Sequence, residues 1–152
     1  MNIQSEGHSA QRLNGPLRSG IIGTGFMGGV HTRAVRAAGG TVVAYAGRDL
    51  GRTEDAALRA GVPLALTTLQ LIGHPDVDIV HICTPNSLHR DLASAAIAAG
   101  KHVVCEKPLA LSVADASHLE AAVRAAGVVN AVPFVYRYYP SIREARARID
   151  LS

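Results

Sequence analysis

The sequence predicts an α/β fold built on a doubly wound parallel sheet, and three observations carry that expectation. Short apolar runs alternate with longer segments of helical period along most of the 152 residues, the pattern of βαβ units. Apolar residues make up 48% of the chain while aromatics supply only 4% and Trp none, so the core must come from Ala, Val, Leu and Ile, which suits helices laid on a sheet. Finally, Gly23-Thr24-Gly25-Phe26-Met27-Gly28 stands between the first apolar run and the first helical segment, where a strand must turn sharply into a helix.

The elements follow in order. Met1 to Pro16 is polar and reads as a flexible leader. Leu17 to Ile22 is the first strand and Phe26 to Ala38 the first helix, its apolar face set by Met27, Val30, Ala34 and Ala37 at spacings of three and four. Gly39-Gly40 stops it. Thr41 to Ala46 is the second strand, and Leu50 to Ala60 a helix halted by Gly61 and Pro63. Leu64 to Leu66 is a brief third strand, followed by a helical turn around Thr68 to Ile72. Asp78 to Cys83 is the fourth strand, and Leu88, Leu92, Ala93, Ala96 and Ile97 mark a helix that ends at Gly100. His102 to Cys105 is the fifth strand. Ser112 and Asp115 have capping-box spacing, and Ala116, Leu119, Val123 and Ala126 continue the apolar face of a helix that Gly127 ends. Val128 to Val135 is the sixth strand, and Ser141 to Ser152 one more helix. Joined by right-handed crossovers, six such strands are expected in the order 3-2-1-4-5-6.

Length and charge narrow the function classes. A chain of this length fits one domain of roughly 100 to 200 residues. Its net charge of +3 comes from thirteen scattered arginines and two lysines, without the dense basic run and interleaved aromatics of a nucleic-acid groove. The leader holds no apolar core of a signal peptide and no run is long enough to span a membrane, so a cytoplasmic location without membrane or nucleic-acid partners is expected. Cys83 and Cys105 each close an apolar run and read as small buried hydrophobes. The seven histidines show no metal-ligand spacing and read mostly as surface or packing residues, so no metal is expected.

Gly23-x-Gly25-x-x-Gly28 in this context is a dinucleotide-binding fingerprint. Gly23 permits the tight turn, Gly25 lets the backbone approach a pyrophosphate, and Gly28 lets the helix pack close to the strand. The N-terminus of the helix that Phe26 and Met27 open attracts the anion. An NAD-specific site usually ends its second strand with an acidic residue for the ribose hydroxyls, but here that end reads Ala46-Gly47-Arg48-Asp49. A small Gly47, with Arg48 able to pair with a 2′-phosphate, favours NADP; were Arg48 instead paired with Asp49 on the surface, NAD would stay open.

The fourth strand ends in Thr84-Pro85-Asn86-Ser87-Leu88-His89, beside the point where strand order reverses and ligands bind. Thr84 and Asn86 are placed to reach a cofactor's ribose or pyrophosphate, although Asn86 or Ser87 also suits a helix N-cap and Pro85 a turn. His89 reads either as part of this site or as a surface residue. After the fifth strand, Glu106-Lys107-Pro108 sets an ammonium where a buried strand empties into a loop, a candidate for handling a proton or holding a hydroxyl group.

Taken together, Gly23 to Gly28, Thr84-Pro85-Asn86 with His89, Glu106-Lys107-Pro108, and Tyr136-Arg137-Tyr138-Tyr139-Pro140 resemble the glucose-fructose oxidoreductase and inositol dehydrogenase family. The resemblance runs from residue 17 to about residue 148, and the Glu-Lys-Pro segment is its most specific part. It implies a Rossmann-type NAD(P)-binding domain over 17–135, with 136–152 starting the connection to a second domain that this chain does not contain. It implies that Lys107 lies near the nicotinamide and a substrate hydroxyl, that Pro108 follows a cis peptide bond, and that Glu106 orients or neutralises the loop, unless Glu106 is simply exposed. Arg137 is likewise implied to lie on the nicotinamide side of the cleft, against the alternative of a salt-bridged linker arginine. Tyr136, Tyr138 and Tyr139 read as packing residues. The family's catalytic histidine and acidic residue belong to the second domain, so His81, His89 and His118 are not assigned those roles. The resemblance thus implies an oxidoreductase acting on a sugar- or polyol-like substrate that the missing domain would hold. The alternatives are a truncated, inactive nucleotide-binding or interaction module, or a fragment that forms homo-oligomers through Phe134 to Tyr139.

Overall fold

Arg18–Ile22 (β1), Thr41–Ala46 (β2), Leu64–Leu66 (β3), Ile79–Ile82 (β4), His102–Cys105 (β5) and Asn130–Ala131 (β6) form one parallel sheet in the order β3-β2-β1-β4-β5-β6. This is the order expected from the sequence. The computed structural model describes residues 15–150, so most of the leader read over 1–16, and the last two residues of the helix read to Ser152, lie outside the described residues.

The helices are Phe26–Ala37 (α1), Leu50–Ala60 (α2), Thr68–Gly73 (α3), His89–Ala98 (α4), Val113–Ala126 (α5) and Pro140–Asp150 (α6). Two 3₁₀ turns, Asn86–Leu88 and Val135–Tyr138, precede α4 and α6. Local chemistry sets several boundaries. Asp49 caps α2 by accepting from the Arg52 N–H at 2.8 Å, Thr67 and Gln70 form a capping box on α3, and Ser112 accepts from the Asp115 N–H at 3.1 Å on α5. Alternation along the strands then divides the core. Ile21 packs with Val42, Tyr45, Ala57 and Val62 on the α1–α2 face, and its neighbour Ile22 with Leu71, Val80, Ile82, Ala96 and Leu119 on the other. Each fully buried Ile or Leu contributes about 1.5–3 kcal/mol, so both faces are firmly held.

Three expectations are corrected. The sixth strand, read as Val128 to Val135, shrinks to Asn130–Ala131, because Pro133 has no N–H for the ladder and the Phe134 and Val135 N–H groups turn back onto the carbonyls of Val132 and Pro133. The buried face of α1 is not Met27, Val30, Ala34 and Ala37; Gly28, His31 and Thr32 are buried and Ala34 and Ala37 exposed. Gly28 causes this rotation, since the missing side chain lets that face of the helix settle on β1, and the Thr32 hydroxyl is satisfied there by Gly28 O at 2.9 Å and the Tyr45 hydroxyl at 2.5 Å. Lastly, neither Asn86 nor Ser87 is a helix N-cap; α4 starts directly from the 3₁₀ turn without a side-chain cap.

The register positions everything that follows. Ile22 stands level with Ala46 on one side and Ile82 on the other, and Ile82 with Cys105. The ladder runs one residue further, from Gly23 N to Ala46 O, Cys83 N to Ile22 O and Glu106 N to Ile82 O, at 2.8, 2.8 and 3.0 Å. Gly23, Cys83 and Glu106 therefore leave the sheet together at its C-terminal edge. Two strand spacings, about 10 Å, separate the first from the last.

Candidate functional site

At this edge the fingerprint loop is built by close approach. Gly23 has φ +101°, a conformation that disfavours side chains, and a Cβ there would lie 2.5 Å from the Cys83 carbonyl oxygen. A Cβ on Gly28 would lie 2.1 Å from the Gly23 carbonyl oxygen. Gly25 is the opposite case: a Cβ there would meet nothing within 4 Å. It is the N-cap of α1, no side chain caps the helix, and its first turn holds no acidic residue. The open space over Gly25 thus faces free N–H groups and the positive end of the helix dipole, which suits an anion. Phe26 is exposed and Met27 half-buried in that first turn. A dinucleotide's pyrophosphate fits this cradle.

Beside it, β2 ends at Gly47, where a Cβ would press on the Thr53 hydroxyl at 2.7 Å. That hydroxyl donates to Asp49 O at 2.6 Å, so the turn leaves little room for a larger residue. Arg48 is exposed. The alternative pairing of Arg48 with Asp49 does not form: the Asp49 carboxylate is taken by the α2 N-terminus, and Arg48 has no ion pair among the described residues.

Thr84, Pro85 and Asn86 line the next loop. The Thr84 hydroxyl oxygen is buried and has no hydrogen-bond partner, an orphan at the same edge that a ligand group would satisfy. Pro85 and Asn86 are exposed. The surface reading of His89 is overturned, since the residue is fully buried at the start of α4. Its Nδ1 lies 2.7 Å from Pro108 O and its Nε2 3.0 Å from Thr84 O. His89 therefore ties the β4 loop to the β5 loop, and its contacts are protein carbonyls.

Glu106-Lys107-Pro108 leaves β5 with a cis Lys107–Pro108 bond, as the resemblance implies. Lys107 is exposed and its ammonium has no partner among the described residues. Glu106 is not exposed; it is buried, with Oε1 3.0 Å from His31 Nε2 and Oε2 accepting the Lys107 N–H at 3.1 Å. His31 Nδ1 in turn lies 3.0 Å from His81 Nδ1, the two rings set edge to face. Burial and the facing His31 push the His81 imidazole down to about 4. Burial, together with the charge of Glu106, pushes the Cys83 and Cys105 thiols up to about 12, so neither is a thiolate nucleophile.

The sequence assigned His31 and His81 no functional role, reading the histidines mostly as surface or packing residues. A signal existed: His81 interrupts an otherwise apolar buried strand, which requires a polar partner inside. Arg137 is not brought to the rest of the site by any hydrogen bond or ion pair, nor is it salt-bridged; it stacks over the Tyr138 ring at 5.8 Å. Tyr136, Tyr138 and Tyr139 are half or more exposed, so they do not pack into the core. Among the described residues no group of three or more His, Cys, Asp or Glu could hold a metal ion, and no helix is long and apolar enough to cross a membrane.

Comparison with known proteins bears on this arrangement. A family model described as an oxidoreductase family with an NAD-binding Rossmann fold matches residues 17–134. The chain is similar to a levoglucosan dehydrogenase of Pseudarthrobacter phenanthrenivorans, at 36% identity over 88% of this chain and 37% of that protein. Among solved structures it is similar to an NAD-binding oxidoreductase from Klebsiella pneumoniae, with a TM-score of 0.84 and 39% identity over 89% of this chain and 38% of that one. It is also similar to a biliverdin reductase from Synechocystis in complex with biliverdin and NADP+, with a TM-score of 0.76 and 33% identity over 89% of this chain and 43% of that one. The chain thus spans about two fifths of the length of these relatives.

Proposed function

Since the chain belongs to the oxidoreductase family with an NAD-binding Rossmann fold, also known by its glucose-fructose oxidoreductases and inositol dehydrogenases, we propose that it is the cofactor-binding domain of a dehydrogenase or reductase. The reaction interconverts a hydroxyl and a carbonyl on a sugar- or polyol-like substrate, a class supported by the similarity to a levoglucosan dehydrogenase. The observation that carries the reading is the shared exit of the uncapped glycine turn and the Lys107 loop at one edge of the sheet.

A nicotinamide dinucleotide bound there supplies or accepts the hydride. Gly23, Gly25 and Gly28 open the cradle, and the first N–H groups of α1, at Phe26 and Met27, take the pyrophosphate. The Thr84 hydroxyl, with Pro85 and Asn86 beside it, takes a ribose or phosphate oxygen. Arg48 pairs with a 2′-phosphate, which favours NADP over NAD. Lys107 holds the substrate oxygen and exchanges its proton, with Glu106 and Pro108 fixing the backbone on either side. Arg137 lies on the nicotinamide side of the cleft, a reading supported by the family resemblance of the Tyr136 to Pro140 segment. Closure and the remaining acid–base groups fall to a second domain.

Isothermal titration with NADPH and NADH tests the reading. One-to-one saturable binding is expected, and no heat with either cofactor would remove it. Because the chain spans about two fifths of its relatives' length, a second reading is a nucleotide-binding module without turnover. Reduction of NAD(P)+ by this chain with a panel of sugars and polyols excludes that module. Self-association through the exposed Phe134 to Tyr139 segment would appear in sedimentation as a concentration-dependent mass.

A further inference from the structure

A buried polar chain crosses the α1 side of the sheet and ends on the backbone of Lys107. His81 lies on β4, His31 on the second turn of α1 and Glu106 just past β5, and all three are less than a tenth exposed. The hydrogen-bond directions follow from what each group can do. The Glu106 carboxylate only accepts, so it takes His31 Nε2–H on Oε1 and the Lys107 N–H on Oε2. His31 Nε2 therefore donates to Glu106, and its Nδ1 meets His81 Nδ1 at 3.0 Å, where one nitrogen donates and the other accepts. The links run in series, and both carboxylate oxygens of Glu106 are engaged.

A chain of this kind is a poor device for stability alone. Withdrawing a carboxylate from water is costly, and apolar side chains of similar volume often serve a core as well. What the polar chain adds is placement: it fastens the helix that starts at the fingerprint to the peptide unit from which the Lys107 side chain departs. We propose that His31 is a positioning residue for Lys107, acting through Glu106, with His81 contacting the far side of the His31 ring. The proposal rests on the reading of Lys107 as the group that meets the nicotinamide side of the cofactor.

The chain has only two lysines, so protein grown with ¹³Cε-labelled lysine shows two side-chain resonances, and Lys107→Arg identifies the one that matters. The readout is the difference in the Lys107 shift between protein saturated with ADP-ribose, which lacks the nicotinamide, and protein saturated with NADH or NADPH. His31→Leu is expected to lose most of that difference. His31→Gln, whose amide can still donate to Glu106, is expected to keep it; a merely structural role would change the melting temperature of both variants without separating them at Lys107. Glu106→Gln has a single carbonyl oxygen, which serves His31 or the Lys107 N–H in place of both, so it too should reduce the difference, and it decides the matter if His31→Leu does not fold. A parent-sized difference in Glu106→Gln, or in a folded His31→Leu, overturns the positioning role while leaving the cofactor reading intact. Failure of the unaltered chain to bind either reduced cofactor overturns both.

Discussion

His89 Nδ1 lies 2.7 Å from the carbonyl oxygen of Pro108, and the same ring reaches Thr84 O with Nε2 at 3.0 Å. Both partners are acceptors, so both nitrogens donate together only when the ring carries two protons. One buried side chain thereby holds the two loops that flank the C-terminal edge of β4 and β5.

Removing that ring takes its N–H from between the two carbonyls. His89→Leu is expected to destabilise the domain by about 1–3 kcal/mol, the cost of leaving a part-buried acceptor without its donor. His89→Gln, able to reach one of them, should recover about half. Urea unfolding of the three proteins checks the order, and equal midpoints would show that the bridge contributes nothing.

The fingerprint glycines separate folding from binding. Gly28→Ala places a methyl 2.1 Å from a backbone oxygen, which no rotamer can relieve, so a loss of about 3 kcal/mol or more is expected. Gly25→Ala places its methyl in open space at φ −80°, a conformation Ala adopts freely, so stability should change by no more than about 1 kcal/mol. The methyl would instead stand where the pyrophosphate approaches, and affinity for NADH or NADPH should fall by about tenfold or more, roughly 1.4 kcal/mol. Melting curves and cofactor titrations on the two variants test the division. A Gly25→Ala protein that binds as well as the parent would place the cofactor elsewhere.

His81 predicts an acid-side loss of stability. Its imidazole is pushed from the usual 6.5 to about 4, first by burial and then by the facing His31. Between these values the unfolded chain takes up a proton that the folded chain refuses, so this contribution is complete above about pH 6.5 and is lost as the pH falls toward 4. Across the interval the loss amounts to about 3 kcal/mol. His81→Asn keeps a neutral donor near the Nδ1 position and cannot titrate, so its stability should fall less between pH 7 and 4.5 than that of the parent. Parallel pH profiles in guanidinium melts would refute the assignment.

Much of this was legible because it is local. The strands that end at Ile22, Ala46, Ile82 and Cys105 announce themselves by short apolar runs, and a parallel sheet brings their C-terminal ends to one edge, so the sequence alone puts the glycine turn and Lys107 on the same side. Helical period failed on α1 because the residues facing the sheet, His31 and Thr32, are polar and satisfied by partners far along the chain or one turn back. The same long-range pairing hid the burial of Glu106 and His89. At β6 an edge position and Pro133 overrode apolar content.

On the proposed reading, cofactor choice turns on Arg48, exposed at the end of β2 and free of Asp49, whose carboxylate caps α2. An arginine on a 2′-phosphate forms a charge-assisted and often bidentate pair, so NADPH should bind more tightly than NADH. Arg48→Glu replaces that attraction with repulsion; affinity for NADPH is expected to drop by roughly tenfold or more while NADH, which carries no 2′-phosphate, is held as well or better. The neighbouring Gly47→Asp is the less informative change, because its Cβ would collide with the Thr53 hydroxyl at 2.7 Å and disturb the turn itself. Paired titrations of the Arg48→Glu protein with both cofactors give the answer. If the two affinities fall together, Arg48 is a nonspecific basic residue and the preference for NADP must be abandoned.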